Sequence, residues 1–250
     1  MRERIAAVFP RGPADFALQL GIWFGFLAAY QVARGVADRD VPQAFANGQW
    51  IIDFQRATST LVELDLQRVV LEAGGVFLDV LNWTYWLSQF AVLGVALLWI
   101  YFFRTEAFAG VRNWIIAANV IGLLGYVFLP TAPPRMFPGE GFVDTLAHSA
   151  SLNHGSGLVQ LASNPYAAMP SLHGADALII GLAMAALVRS WWMKAVWLLW
   201  PAWVWFAVMA TGNHFWLDIA AGIAVAWVAY ALLAWAGRRR DVPRFALSGS

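Results

Sequence analysis

The sequence predicts an all-α, polytopic membrane protein: a bundle of six transmembrane helices with an amphipathic interfacial helix in the first outer loop. Three observations predict it. The 250 residues are 60% hydrophobic and only 12% charged, against about 25% charged in a soluble domain. Such a chain lacks the polar surface to cover itself in water. Six apolar runs approach the ~20 residues that span hydrocarbon. Fifteen tryptophans suit a bilayer, where indole rings settle at the two interfaces.

The runs lie near Ala14–Ala33, Leu81–Phe103, Phe108–Leu129, Ser171–Val188, Trp191–Met209 and Phe215–Ala236. Arg2, Arg4 and Arg11 precede the first one, as they would a signal peptide. Its apolar core is long for that, and further spans follow, so it reads as an uncleaved span. No repeat and no linker divides the chain, which reads as a single membrane domain over residues 1–250. Arginine and lysine set the orientation. With the N-terminus inside, the inner side receives Arg2, Arg4, Arg11, Arg104, Arg112, Arg189, Lys194, Arg238, Arg239, Arg240 and Arg244. Only Arg34, Arg39, Arg56, Arg68 and Arg135 fall outside. Both termini are therefore expected in the cytoplasm, with the protein in the plasma (inner) membrane. The net charge of +1 says little about partners. No basic patch interleaved with aromatics points to nucleic acid. The absence of cysteine excludes disulfides, thiolate metal sites and cysteine nucleophiles.

The first outer loop, Arg34 to Val80, is long and patterned. Asn47 is placed to cap a helix beginning at Gly48, and Thr60 with Glu63 has capping-box spacing. Trp50, Ile51, Phe54, Leu61, Leu64 and Val69 alternate with charges, as in helices lying at an interface. This segment reads either as a linker packed on the bundle or as one wall of a lipid site. The second outer loop, Pro130 to Pro170, carries Pro, Gly, Ser and Asn at turn spacing, with a short helix expected over Phe142–Ala147. A loop this long between spans is usually functional or disordered.

Two stretches carry chemistry. His173 opens the fourth run, after Pro170 and Ser171; His214 and Asp218 open the sixth. Positions i and i+4 share a helix face, so the Asp218 carboxylate can reach one ring nitrogen of His214 and leave the other free. One helical hairpin separates the two runs, so both histidines return to the same membrane face. Arg135 follows the third run and falls on that face too. The fourth and sixth runs also present helix N-termini there, which suit an anion. His148 and His154 lie in a polar loop and read as solvated. Asp176, one turn below His173, stays open between a pairing and a supporting role. No HExxH-type spacing appears, so no metal is expected.

PSLH at Pro170–His173 and HFWLD at His214–Asp218 resemble the second and third motifs of the type 2 phosphatidic acid phosphatases. TAPPRM at Thr131–Met136 resembles a variant of their first motif. The likeness covers roughly Leu81 to Ala236 and is closest to the branch of inositol phosphorylceramide synthases. It implies a lipid phosphatase or phosphotransferase needing no cofactor. His214 would attack phosphorus, Asp218 would orient it, and His173 would act as acid and then base. Arg135, Ser171 and Asn213 would bind the phosphate. The chain departs from the pattern at Phe128 and Val208, where a lysine and an arginine are usual. Fewer cations suit a phosphodiester, with one charge, over a monoester, with up to two. The expected function is thus transfer of a phospholipid head-group diester. The alternatives are a lipid-phosphate monoesterase, for example on an isoprenoid phosphate, and a non-catalytic transporter or scaffold. In bland readings His214 and Asp218 only cap a helix and Arg135 only snorkels to the interface.

Overall fold

The computed structural model describes residues 9–37, 40–147 and 166–238. His148, His154 and the middle of the second outer loop lie outside them. Eight helices are described: α1 (Pro13–Ala37), α2 (Val41–Ala57), α3 (Glu63–Ala73), α4 (Gly75–Phe103), α5 (Thr105–Phe128), α6 (Leu172–Leu187), α7 (Trp191–Ala210) and α8 (Trp216–Arg238). No named strand occurs among the described residues. Four helices, α4, α5, α7 and α8, are long and apolar enough to cross a membrane. Of the other two expected spans, α6 is a shorter apolar helix of 16 residues and α1 runs for 25.

α6 is the axis of the bundle. Leu172, Ala175, Ile179, Ile180 and Ala183 are buried along it, and α5, α7 and α8 pack around it. Its small residues let backbones approach closely, which is how helices associate where lipid removes the hydrophobic drive. Gly181 fits beneath Pro201 and the Trp197 carbonyl of α7; a Cβ there would lie 2.7 Å from each. Tryptophan N–H groups bridge the helices: Trp114 Nε1 donates to the Ala226 carbonyl at 2.7 Å and Trp205 Nε1 to the Gly174 carbonyl at 3.2 Å. At the far end from the histidines, Arg104 Nε donates to the Leu187 carbonyl at 3.2 Å, closing the C-terminus of α6, where a cation also meets the negative end of the dipole. Asp176 is buried inside this core and accepts from Asn119 Nδ2 at 2.7 Å.

Three local expectations change. α2 starts at Val41, six residues after which Asn47 is already mid-helix. Asp40 is the cap, accepting from the Gln43 N–H at 3.1 Å, with Pro42 in the first turn; Asn47 instead donates to the Pro130 carbonyl at 2.7 Å. The Thr60–Glu63 box does not form, because the cap position is Val62 and the Glu63 carboxylate is drawn to another element. Phe142–Ala147 is no helix: Asp144 Oδ1 accepts from the Leu146 and Ala147 N–H groups, an Asx-type turn that competes with it.

α6 and α8 cross in close contact. Gly222 of α8 lies against the Ser171 carbonyl, so near that a Cβ would overlap that backbone oxygen. Gly222→Ala is therefore expected to part α6 from α8 and destabilise the protein by about 1–3 kcal/mol. Gly94→Ala in α4, where nothing lies within 4 Å, is the control, and thermal unfolding in detergent separates the two.

Candidate active site

The two described ends of the segment between α5 and α6 are tied together before they reach the bundle. The Thr131 N–H donates to the Tyr166 carbonyl at 2.9 Å and the Ala168 N–H to the Thr131 carbonyl at 3.2 Å. Downstream, a 3₁₀ turn at Pro134–Met136 lifts Arg135 over the loop that joins α7 to α8. The Arg135 N–H donates to the Gly212 carbonyl at 2.8 Å. Gly212 has φ +72, a left-handed turn that suits glycine, and Gln67, Val143 and Arg135 crowd the space a Cβ would fill.

Each anticipated residue has a definite place. His214 Nδ1 lies 3.0 Å from the Ala168 carbonyl oxygen and 3.4 Å from Asp218 Oδ2. A carbonyl only accepts, so Nδ1 carries the hydrogen and Nε2 keeps its lone pair. Nε2 faces His173 Nδ1 at 3.4 Å. The His173 ring stacks on Tyr85 of α4, centroids 4.5 Å apart and planes 22° from parallel. Arg135 is 9% exposed; its Nη1 donates to Asn213 Oδ1 at 2.6 Å and its Nε lies 3.9 Å from Asp144 Oδ2. The Asn213 amide donates in turn to Thr211 Oγ1 at 2.8 Å. Asn213 thus holds the guanidinium in place. Ser171 is the N-cap of α6, its Oγ accepting from the Gly174 N–H at 3.1 Å, and its hydroxyl hydrogen is left over for another acceptor.

Burial pushes the His214 imidazole down to about 3, and the neighbouring Arg135 guanidinium adds to the fall. The ring is neutral through the physiological range, as a nitrogen nucleophile requires.

The two helix N-termini are not equivalent. At α8 the Phe215 N–H goes to Asp218 Oδ2 at 2.8 Å and the Trp216 N–H to Glu63 Oε1 at 2.6 Å. Asp218 therefore caps its own helix as well as flanking His214, and these donors are spent. At α6 the N–H groups of Leu172 and His173 have no acceptor within the helix, so α6 is the end that can receive an anion.

Sequence reasoning missed what surrounds this cluster. The Ala168 carbonyl is backbone and left no side-chain signal. Tyr85 sits unremarked in an apolar run. The segment between α1 and α4 forms a buttress. The Ala132 N–H donates to the Ala44 carbonyl at 2.9 Å, and Gln67 exchanges two hydrogen bonds with the Val143 backbone, at 2.8 and 2.9 Å. Trp216 Nε1 donates to the Thr60 carbonyl at 2.9 Å.

The sequence profile of the PAP2 superfamily matches residues 49–232, which include Tyr85, Arg135, Ser171, His173, Asn213, His214 and Asp218. The chain belongs to the PAP2 superfamily. The crystal structure of Aquifex aeolicus LpxE aligns with 69% of this chain and 94% of its own, at 21% identity and a TM-score of 0.49. No curated protein is a significant sequence match. The two positions where this PAP2 superfamily chain lacks a cation behave differently. Phe128 is 80% exposed at the end of α5, while the Val208 side chain is fully buried. The Val208 carbonyl accepts from the Asn213 and His214 N–H groups at 2.9 and 3.1 Å, so this position shapes the loop through its backbone.

Proposed function

We propose that the chain is an integral-membrane lipid phosphotransferase or phosphatase that works through a phosphohistidine on His214. The observation that carries this reading is the meeting of His214 Nε2 and His173 Nδ1, 3.4 Å apart, beside an arginine fixed by Asn213. In the first step the rings part to admit the phosphate. His214 Nε2 forms the N–P bond, the P–O bond to the leaving group breaks, and His173 gives that oxygen its proton. The charge left on His214 is stabilised through Nδ1 by the Ala168 carbonyl and Asp218. In the second step His173 takes the proton of an incoming alcohol or water as its oxygen displaces His214. Arg135, the Ser171 hydroxyl and the first N–H groups of α6 hold the phosphate oxygens, with Asn213 acting through Arg135.

The cation count favours a phospholipid head-group diester as donor, in keeping with the motifs' likeness to inositol phosphorylceramide synthases. Membership in the PAP2 superfamily also supports a second reading, hydrolysis of a lipid phosphomonoester. α1 and α6 complete six spans in this proposal, the termini are cytoplasmic, and the site opens at the outer face of the plasma membrane. There the stacked Trp50 and Phe54 on the exposed side of α2, centroids 5.6 Å apart, rest at the interface.

The test is incubation of the purified protein in nanodiscs with head-group-labelled diester lipids, with and without an added alcohol. The expected product is a new diester whose yield follows the alcohol, blocked by vanadate. Release of inorganic phosphate from monoesters with no diester turnover would select the second reading.

A further inference from the structure

Glu63 opens α3 and is fully buried. Its Oε1 accepts from the Trp216 N–H at 2.6 Å and from Gln55 Nε2 at 3.0 Å. Its other oxygen, Oε2, is buried and has no partner; neither has Gln55 Oε1, on a side chain that is also fully buried. An ionised carboxylate would leave Oε2 as an unpaired buried charge, and the amide oxygen would be stranded with it. A single proton on Oε2, donated to Gln55 Oε1, satisfies both at once.

Among the described residues, the charges around Glu63 offer no counter-ion. On α2, Arg56 is taken by Glu140 at 2.5 Å and Asp53 at 3.6 Å. On α3 itself Arg68 is paired with Asp65. In the loops packed against α3, Arg135 is held by Asn213, with Asp144 at 3.9 Å. Asp218 faces Glu63 from α8, where a negative charge opposes another. Burial raises the Glu63 carboxyl above the usual carboxylate range; bonds from Trp216 and Gln55 offset part of this, and Asp218 adds to the rise.

We propose that Glu63 is kept as the neutral acid, joined to the Gln55 amide by two hydrogen bonds, and that this neutral pair positions the start of α8. It is a positioning residue, acting through the Trp216 backbone on the turn that carries His214 and Asp218. The proposal refines the site described under the proposed function and rests on that reading only for its activity readout.

Glutamine reproduces the neutral pattern: its carbonyl accepts as Oε1 does and its NH₂ donates to Gln55 Oε1. Three measurements on the full chain in nanodiscs test the idea. In infrared spectra at neutral pH, wild type minus Glu63→Gln is expected to show a protonated-carboxyl C=O band. No such band would overturn the proposal. In thermal unfolding, Glu63→Gln is expected to match wild type at neutral pH and Glu63→Ala to fall by roughly 3–8 °C. The raised carboxyl also fixes a sign: wild type loses stability relative to Glu63→Gln as pH rises from about 4.5 through the folded-state value. A Gln variant as damaged as the Ala variant, or the opposite pH trend, would overturn it. In lipid turnover, Glu63→Gln is expected to retain activity and Glu63→Ala to lose at least about tenfold. If wild type turns over no lipid, the functional reading fails while the infrared and stability results still decide this one.

Discussion

Replacing His214 with alanine is expected to abolish phosphoryl transfer, lowering turnover by at least about 10³-fold, because the proposed mechanism forms the bond to phosphorus on this ring. The loss is chemical: the ring is almost wholly buried, but it packs in a loop whose backbone is held independently through Val208, Glu63 and Asp218. Rapid quench with a donor labelled at phosphorus is expected to trap an acid-labile, base-stable adduct on wild type and none on His214→Ala. A fully active variant would remove the mechanism. Because burial pushes the His214 imidazole down to about 3, an acid limb above about pH 5 is not expected from this ring. It would report another group, and His214→Ala cannot be used to assign it.

His173→Asn is expected to cost about 10²–10⁴-fold in turnover of an alkyl diester, the range of general acid–base catalysis. The decisive readout is the dependence on leaving group. An aryl leaving group departs without a proton, so the first step of the variant should recover, visible as a burst of the aryl alcohol. The second step, which needs His173 as base, should stay slow. Equal losses with alkyl and aryl donors would reduce His173 to a packing residue against Tyr85, 4.5 Å away.

Much of this was legible in the sequence, for identifiable reasons. Helices that cross a bilayer must satisfy their own backbone, so long apolar runs declare themselves. Four described helices long and apolar enough to cross a membrane fall on four of the apolar runs. Alternation of direction then forces His173 and His214 to one face whatever their side chains do. The i, i+4 spacing brought Asp218 within 3.4 Å of His214, but spacing alone cannot tell that the Ala168 carbonyl, 46 positions earlier, lies closer. The segment between α1 and α4 is less legible. Its capping signals at Asn47 and Glu63 are local patterns, and both side chains were claimed by distant backbone groups at Pro130 and Trp216. Tertiary partners outbid local ones wherever a loop amide or carbonyl would otherwise be buried unpaired.

The buttress formed by α2 and α3 has a consequence for biogenesis. Ala44, Asn47, Glu63 and Gln67 all leave the ribosome well before His173, and His214 arrives only with the last helix. The Ala44–Ala132, Asn47–Pro130 and Gln67–Val143 links are thus encoded before either imidazole, and the Glu63–Trp216 link closes only when α8 arrives. On the proposed mechanism, a nascent chain stalled after α7 would hold the Leu172 and His173 amides and Arg135 yet lack His214, so unfinished copies lodged in the bilayer would be chemically silent.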